Sequence, residues 1–170
     1  MNERRVTVLR NYESLLRDDP AELHTLIRHL PIHATGFFRD PEAWDALKHD
    51  VIQPLMAERR RKPLRVWITA CATGEKAYST AMLLKEAMAV ENGHPGFQVF
   101  ATDASPEIVA CASRGEFSQA ALQKVSEARR SAFFYDVDGI VRVKRDLRER
   151  MVFAPIRRCP TSISSRAAIC

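Results

Sequence analysis

Between Leu64 and Arg114 the chain changes its hydrophobic period in a fixed order, and this order constrains the fold more than any other feature. After Pro63, the run Leu64-Arg65-Val66-Trp67-Ile68-Thr69 has the β-branched and aromatic content of a strand. Small residues follow at once, Ala70-Cys71-Ala72-Thr73-Gly74. From Glu75 the spacing becomes helical, with Ala77, Ala81, Leu84 and Met88 on one face, until Asn92-Gly93 and Pro95-Gly96 stop it. A second strand, Phe97-Gln98-Val99-Phe100-Ala101-Thr102, ends in Asp103, and Ser105-Pro106-Glu107 caps a further helix through about Arg114. Strand, helix, strand, helix with short connections predicts an α/β fold of parallel strands joined by right-handed crossovers.

The flanks are less regular. Asp19-Pro20-Ala21-Glu22 opens a short amphipathic helix carrying Leu23, Leu26, Ile27 and Leu30, which ends near Pro31. The same opening recurs at Asp40-Pro41-Glu42, where Asp40 is the expected N-cap acceptor. Trp44, Leu47, Val51 and Leu55 then form one apolar stripe running into the basic end Glu58-Arg59-Arg60-Arg61-Lys62. Between the two helices lies His33-Ala34-Thr35-Gly36-Phe37-Phe38-Arg39, whose adjacent aromatics are not expected to face one core together. After Gly115 a mostly helical stretch is predicted to Phe133-Phe134. Val137-Asp138-Gly139-Ile140 then reads as a tight hairpin turn, and Met151-Val152-Phe153 as one more strand. From Ile156 to Cys170 there is no acid and no clear period, so an irregular, poorly ordered tail is expected. The organisation read in this way is an N-terminal helical segment over 1–39, a partial α/β domain over 40–155 with a hairpin subdomain near 135–146, and a tail over 156–170.

Composition narrows the class further. A chain of 170 residues with 46% hydrophobic and 28% charged residues suits one folded domain and excludes a disordered, collagen-like or disulfide-framework protein. The formal charge of +5 is spread among interleaved acids and bases, as in Glu22, His24 and Arg28, and marks a solvated surface. No apolar run approaches the roughly 20 residues of a bilayer span, and Met1 to Arg10 has no secretory core, so a cytoplasmic protein is expected. Cys71, Cys111, Cys159 and Cys170 are widely separated with no C-x-x-C pair, which indicates neither a metal site nor a disulfide framework.

In open α/β sheets ligands bind outside the carboxyl ends of the strands, and two such ends are legible. Ala70 to Gly74 lets backbone approach a ligand closely, and Gly74 tolerates a turn conformation costly for other residues. Asp103 is placed where a carboxylate can accept both hydroxyls of a ribose; capping of the next helix is the plainer alternative, although Ser105 fills that role better. No G-x-G-x-x-G is present, which argues against nicotinamide and flavin and leaves an adenosine-type ligand on a nonstandard loop. The phosphate-loop, nucleophile-elbow and H-E-x-x-H signatures are likewise missing from the sequence. Cys71 reads as a passive small residue in preference to a nucleophile.

Three motifs in this order, Thr35-Gly36-Phe37-Phe38-Arg39-Asp40, Ala70-Cys71-Ala72-Thr73-Gly74-Glu75-Lys76-Ala77-Tyr78-Ser79 and Phe100-Ala101-Thr102-Asp103, resemble the chemotaxis receptor glutamate methyltransferases of the CheR family. The resemblance spans about Leu9 to Pro155 and includes the Asp138-Gly139 hairpin, similar to the small antiparallel subdomain this family uses for receptor binding. It implies a class I, Rossmann-like methyltransferase sheet, S-adenosyl-L-methionine as methyl donor, and transfer to glutamate side chains in the cytoplasmic domains of chemoreceptors. Carried over by position, Thr35 and Arg39 would hold the methionine end of the cofactor, Arg39 would also lie near the reacting carboxylate, Gly74 and Glu75 would complete the cofactor loop, and Asp103 would hold the ribose. No catalytic His, Cys or metal is implied, because a carboxylate is already a nucleophile and needs alignment more than a base.

The chain departs from the family pattern at Lys76, commonly a second glutamate, and at His33, commonly Asn. It also departs after the Met151 strand, where the family continues into further strands, so the sheet is expected to be C-terminally incomplete and methyl transfer impaired. The resemblance extends to hybrid sensory proteins that fuse methyltransferase and methylesterase parts. An inactive methyltransferase-like module that docks on receptors or signalling partners is the alternative reading. A nucleic-acid partner is not expected, since no target-base motif and no aromatic-interleaved basic stripe is present.

Overall fold

The computed structural model describes residues 9–19, 35–58, 63–90 and 96–156. The helix expected after Asp19 and nearly all of the expected tail lie outside these residues. The chain divides into two units, Met1–Ala34 and Thr35–Cys170. In the first, helix α1 spans Leu9–Asp18, with the Asp19 N–H closing its last turn on the Leu15 carbonyl at 2.8 Å.

The second unit opens with α2 (Pro41–Ala46), which passes through a π-helical turn over Leu47–Ile52 into α3 (Gln53–Glu58). Asp40 occupies the N-cap position, but its side chain makes no capping bond; its carbonyl accepts from Trp44 N–H at 3.2 Å. The expected stripe holds for Trp44 and Leu47, which pack on the core, and then fails. Val51 is 43% exposed, and Ile52 and Met56 are buried in its place. A π turn takes in one extra residue and rotates everything after it by about one helical position. The widened turn directly precedes Pro54, whose ring cannot fit against the carbonyl four residues back in a regular α-helix.

Strands β1 (Leu64–Ile68), β2 (Phe97–Asp103) and β6 (Met151–Pro155) form a parallel sheet in the order β1-β2-β6. Val66 stands opposite Val99, and Val99 opposite Met151. Helix α4 (Glu75–Val90) crosses from β1 to β2, and α5 (Pro106–Arg114) follows β2. The predicted βαβα order is therefore present, with its parallel pairing. One sheet face, including Phe97, Val99 and Ala101, is buried. Helix α4 is buried well beyond the single face expected, with every residue from Ala77 to Leu84 inside. Among the described residues β1 pairs with β2 alone, and Trp67 is 57% exposed with its indole N–H donating to Thr102 Oγ1 at 2.9 Å.

The stretch after Gly115 is only partly helical. It begins with β3 (Glu116–Ser118), continues through a 3-10 turn (Gln119–Leu122) into α6 (Glu127–Phe133), and leads to β4 (Phe134–Val137) and β5 (Ile140–Val143). These strands form an antiparallel sheet in the order β3-β5-β4. A three-residue strand is too short to display alternation, which is why β3 has no sequence signal. The β4–β5 turn is as expected: Asp138 (φ 54°) and Gly139 (φ 81°) both adopt left-handed conformations, the requirement of a type I′ hairpin. A short helix, α7 (Arg145–Arg148), leads into β6. Among the described residues no helix is long and apolar enough to cross a membrane.

Candidate cofactor site

The loop joining β1 to α4 has an alternating backbone. Ala70 (φ 49°), Ala72 (φ 47°) and Gly74 (φ 101°) are left-handed. Each alanine in this region costs roughly 1–2 kcal/mol, and the loop is held by bonds from several sides. Cys71 N–H donates to the Thr102 carbonyl at 2.9 Å, and Gly74 N–H to the Cys71 carbonyl at 3.0 Å. Tyr78 N–H then donates to the Gly74 carbonyl at 2.9 Å. A Cβ on Gly74 would lie 3.1 Å from Ala112 Cβ and 3.3 Å from the Tyr78 ring. Glycine is thus required both by conformation and by close approach.

Asp103 ties the two strand ends together. Its Oδ2 accepts from Ala72 N–H at 2.9 Å, and its Oδ1 from Ser105 N–H at 3.3 Å. Capping of α5 falls to Ser105, whose Oγ accepts from Ile108 N–H at 3.3 Å. Each Asp103 oxygen retains acceptor capacity beyond its one backbone donor, as a pair of vicinal hydroxyls would need.

A second group of acceptors gathers at the start of α4. Thr35 Oγ1 and Thr73 Oγ1 each donate to Glu75 Oε2 at 2.6 Å, and the two hydroxyl oxygens are 2.9 Å apart. Glu75 is 7% exposed, so this is a largely buried carboxylate. Three short oxygen contacts share only two hydroxyl protons, which makes the cluster a complement for a donor or a cation. The ammonium and sulfonium of S-adenosylmethionine are groups of that kind, and the adenosine hydroxyls suit Asp103, so the residues present fit the cofactor.

Of the residues singled out in the sequence, Thr35, Gly74 and Glu75 converge on one loop, and Asp103 is bonded to the same loop through Ala72. Arg39 lies exposed at the far end of the segment that begins with Thr35, its carbonyl accepting from Lys124 Nζ at 2.8 Å. Lys76 places its Nζ 3.3 Å from the Thr69 carbonyl, at the carboxyl end of β1. Cys71 is fully buried, and burial reinforced by the Asp103 charge pushes its thiol up to about 11, so it is protonated at neutral pH. Thr73 and the Ala72 N–H were not assigned from sequence. A hydroxyl residue two places before an acid in a strand-to-helix turn is the signal for the first, whereas a backbone donor leaves none.

Phe37 and Phe38 are both core residues, and they share one core, which is not expected of adjacent aromatics. The left-handed Phe38 (φ 49°) turns the chain between them and sends the two rings to different neighbours. Phe37 packs edge-on against Phe117 and Phe134, with centroids 4.8 and 5.4 Å away, and Phe38 against Trp44 at 5.5 Å.

A parallel sheet with a tight loop after its first strand, an acid closing its second, and an acceptor cluster at the intervening helix defines a class I methyltransferase type of nucleoside-binding domain. Comparison with known families agrees: the CheR methyltransferase SAM-binding domain matches residues 33–162. The chain belongs to the CheR methyltransferase family, through the domain that binds S-adenosylmethionine. It is 36% identical over 155 residues to an uncharacterized 104.1 kDa protein of Rhodobacter capsulatus, covering 91% of this chain and 16% of that protein. It is 33% identical over 121 residues to a chemotaxis protein methyltransferase of Listeria monocytogenes, covering 71% and 44% of the two chains. With the chemotaxis protein methyltransferase of Escherichia coli the identity is 29% over 152 residues, covering 86% and 50%. The chain thus spans half or less of each of these relatives.

Proposed function

We propose that this chain binds S-adenosylmethionine across the carboxyl ends of β1 and β2 and takes part in methyl transfer to glutamate side chains of chemoreceptors. The observation that carries this reading is the convergence of Thr35, Thr73 and Glu75 beside a loop that Asp103 fixes from the neighbouring strand. Bound there, the cofactor supplies a methyl carbon on a positively charged sulfur. Thr35, Thr73 and Glu75 would hold its amino-acid end, Asp103 would accept from the ribose, and Gly74 would allow the close approach. The Arg39 guanidinium can align an incoming carboxylate through paired N–H donors. No proton would need to move, because a glutamate carboxylate is ionised at neutral pH and the sulfur would leave as a neutral thioether; orientation is the main contribution asked of the protein. The support for a chemoreceptor substrate is the naming of the Listeria and Escherichia relatives as chemotaxis methyltransferases.

Lys76 supports a second reading, in which the domain docks without transferring methyl groups. A cation at the strand ends opposes a cationic ligand by about 1–4 kcal/mol for charges roughly 4 Å apart, the lower end applying where water screens them. The hairpin supplies a docking face, with Tyr135, Val137 and Ile140 between 38% and 46% exposed. Calorimetric titration of the chain with S-adenosylhomocysteine separates the two. Micromolar binding that Asp103→Ala abolishes supports the cofactor site; a folded chain with no binding favours the docking module.

A further inference from the structure

The segment carrying Thr35 and Arg39 belongs to no regular element before Pro41, yet it places Thr35 on Glu75 and, in the reading above, Arg39 toward the incoming carboxylate. A Cβ on Gly36 would meet nothing, and Phe38 is left-handed, a conformation that a non-glycine residue keeps only where its surroundings hold it. Its position therefore depends on what grips it from outside. One grip comes from α4, where Ser79 Oγ accepts from Phe38 N–H at 3.3 Å. Thr35 is held by Glu75 and Thr73, and Phe38 also packs on Trp44. Further grips come from the region between β2 and β6: Phe117 and Phe134 enclose the Phe37 ring, Lys124 donates to the Arg39 carbonyl, and the Arg129 guanidinium lies 4.2 Å from the centroid of Phe38.

We propose that Lys124 and Arg129 are positioning residues for the cofactor site, acting through the Thr35–Arg39 segment. Each is itself held in place. Arg129 is locked edge-on by a bidentate pair with Glu86 of α4, at 2.6 and 2.9 Å, so its planar face is fixed over Phe38. The loop bearing Lys124 is fastened by Arg130, which donates to the Leu122 carbonyl at 2.6 Å and the Val125 carbonyl at 3.1 Å. Lys124 is exposed, so its loss removes a grip on the Arg39 backbone without opening the core. The consequence is that the antiparallel sheet unit sets the geometry of the site as well as offering a surface. Any ligand that shifts this unit shifts Thr35 and Arg39, and by linkage cofactor binding stiffens the unit in return.

This inference rests on the cofactor reading given above, and two readouts keep their failures apart. Lys124→Met, Lys124→Arg and Arg129→Met are compared with the parent chain by thermal midpoint, by calorimetry with S-adenosylhomocysteine, and by amide hydrogen exchange of residues 36–40. Lys124→Met is expected to keep its midpoint within a degree or two while exchange at 36–40 accelerates and affinity falls by about fivefold or more. Lys124→Arg, which retains a donor, restores both. Arg129→Met weakens binding further and lowers the midpoint, since Glu86 loses its bidentate pair and keeps Lys48, at 3.9 Å. Parent-like affinity and exchange in Lys124→Met overturn the proposal. A parent chain that binds no S-adenosylhomocysteine overturns the cofactor reading, and exchange at 36–40 then decides alone whether the grip exists.

Discussion

Asp103 Oδ2 accepts a hydrogen bond from Ala72 N–H at 2.9 Å, so the carboxylate that ends β2 fixes the loop that ends β1. Asp103→Ala removes this tie and leaves a backbone donor in a half-buried loop without its partner. A destabilisation of about 1–3 kcal/mol is expected, with complete loss of S-adenosylhomocysteine binding. Asp103→Asn keeps an acceptor for Ala72 and should regain most of the stability while recovering little of the affinity. Urea unfolding beside calorimetry reads both quantities, and equal recovery of the two in Asp103→Asn would show that Asp103 acts only on the loop.

Gly74 offers a test of the loop itself. Its φ of 101° is disfavoured for any L side chain, and an added methyl meets Ala112 at 3.1 Å. Gly74→Ala is expected to cost about 1–3 kcal/mol from backbone strain, with additional loss from contact with Ala112. A chemical denaturation midpoint equal to that of the parent chain would contradict the described loop conformation.

Lys76 brings a positive charge to the carboxyl end of β1, beside the proposed cofactor site. Lys76→Glu is expected to tighten binding of both S-adenosylmethionine and S-adenosylhomocysteine, more so for the former because of its sulfonium. The gain should shrink as salt is raised, since Lys76 is exposed and its field is screened over about 10 Å at 0.1 M ionic strength. Unchanged affinity at low salt removes the electrostatic basis of the docking reading.

Stability should fall on the alkaline side. Burial raises both the Cys71 thiol, to about 11, and the Tyr78 phenol above their ordinary values. A raised folded value means that the unfolded chain loses its proton first. The Cys71 contribution is therefore present in full below about pH 8.5, the ordinary thiol value, and is lost as pH rises through about 11. Thermal midpoints measured from pH 8 to 11 should decline, and Cys71→Ala should flatten the first part of that decline. A parallel decline in the two proteins would assign it to Tyr78 and other groups.

How far the sequence discloses the structure depends on the length over which each signal accumulates. β1, α4 and β2 are legible because each sustains one period between glycines or prolines, and the Asp138-Gly139 turn because type I′ geometry leaves few residue choices. The inward face of α2 and α3 is not, because the π turn displaces the stripe from Val51 to Ile52 without disturbing the apolar pattern around it. Pro54 was the clue available. Within the site, Thr35, Gly74, Glu75 and Asp103 are found through their motifs. Thr73 has only the weak signal of a hydroxyl two places before an acid, and the Ala72 N–H that bonds Asp103 has none, because a backbone donor is common to every residue but proline.

The pairing of β2 with β6 has a kinetic meaning. Val99 meets Met151 only after α5, the antiparallel sheet, α6 and α7 have been threaded between them, whereas β1 and β2 are separated by a single helix and its connections. Closing so long a loop is slow when the intervening chain is loose, and cheaper once that chain is already compact. The hairpin of β4 and β5 needs only local contacts, and Val143 N–H reaches the Gly115 carbonyl at 2.9 Å, which brings the chain after β5 back beside the end of α5. The small sheet therefore shortens the loop in space: with the chain folded back beside Gly115, the stretch that separates β2 from β6 along the sequence spans only a short distance between them.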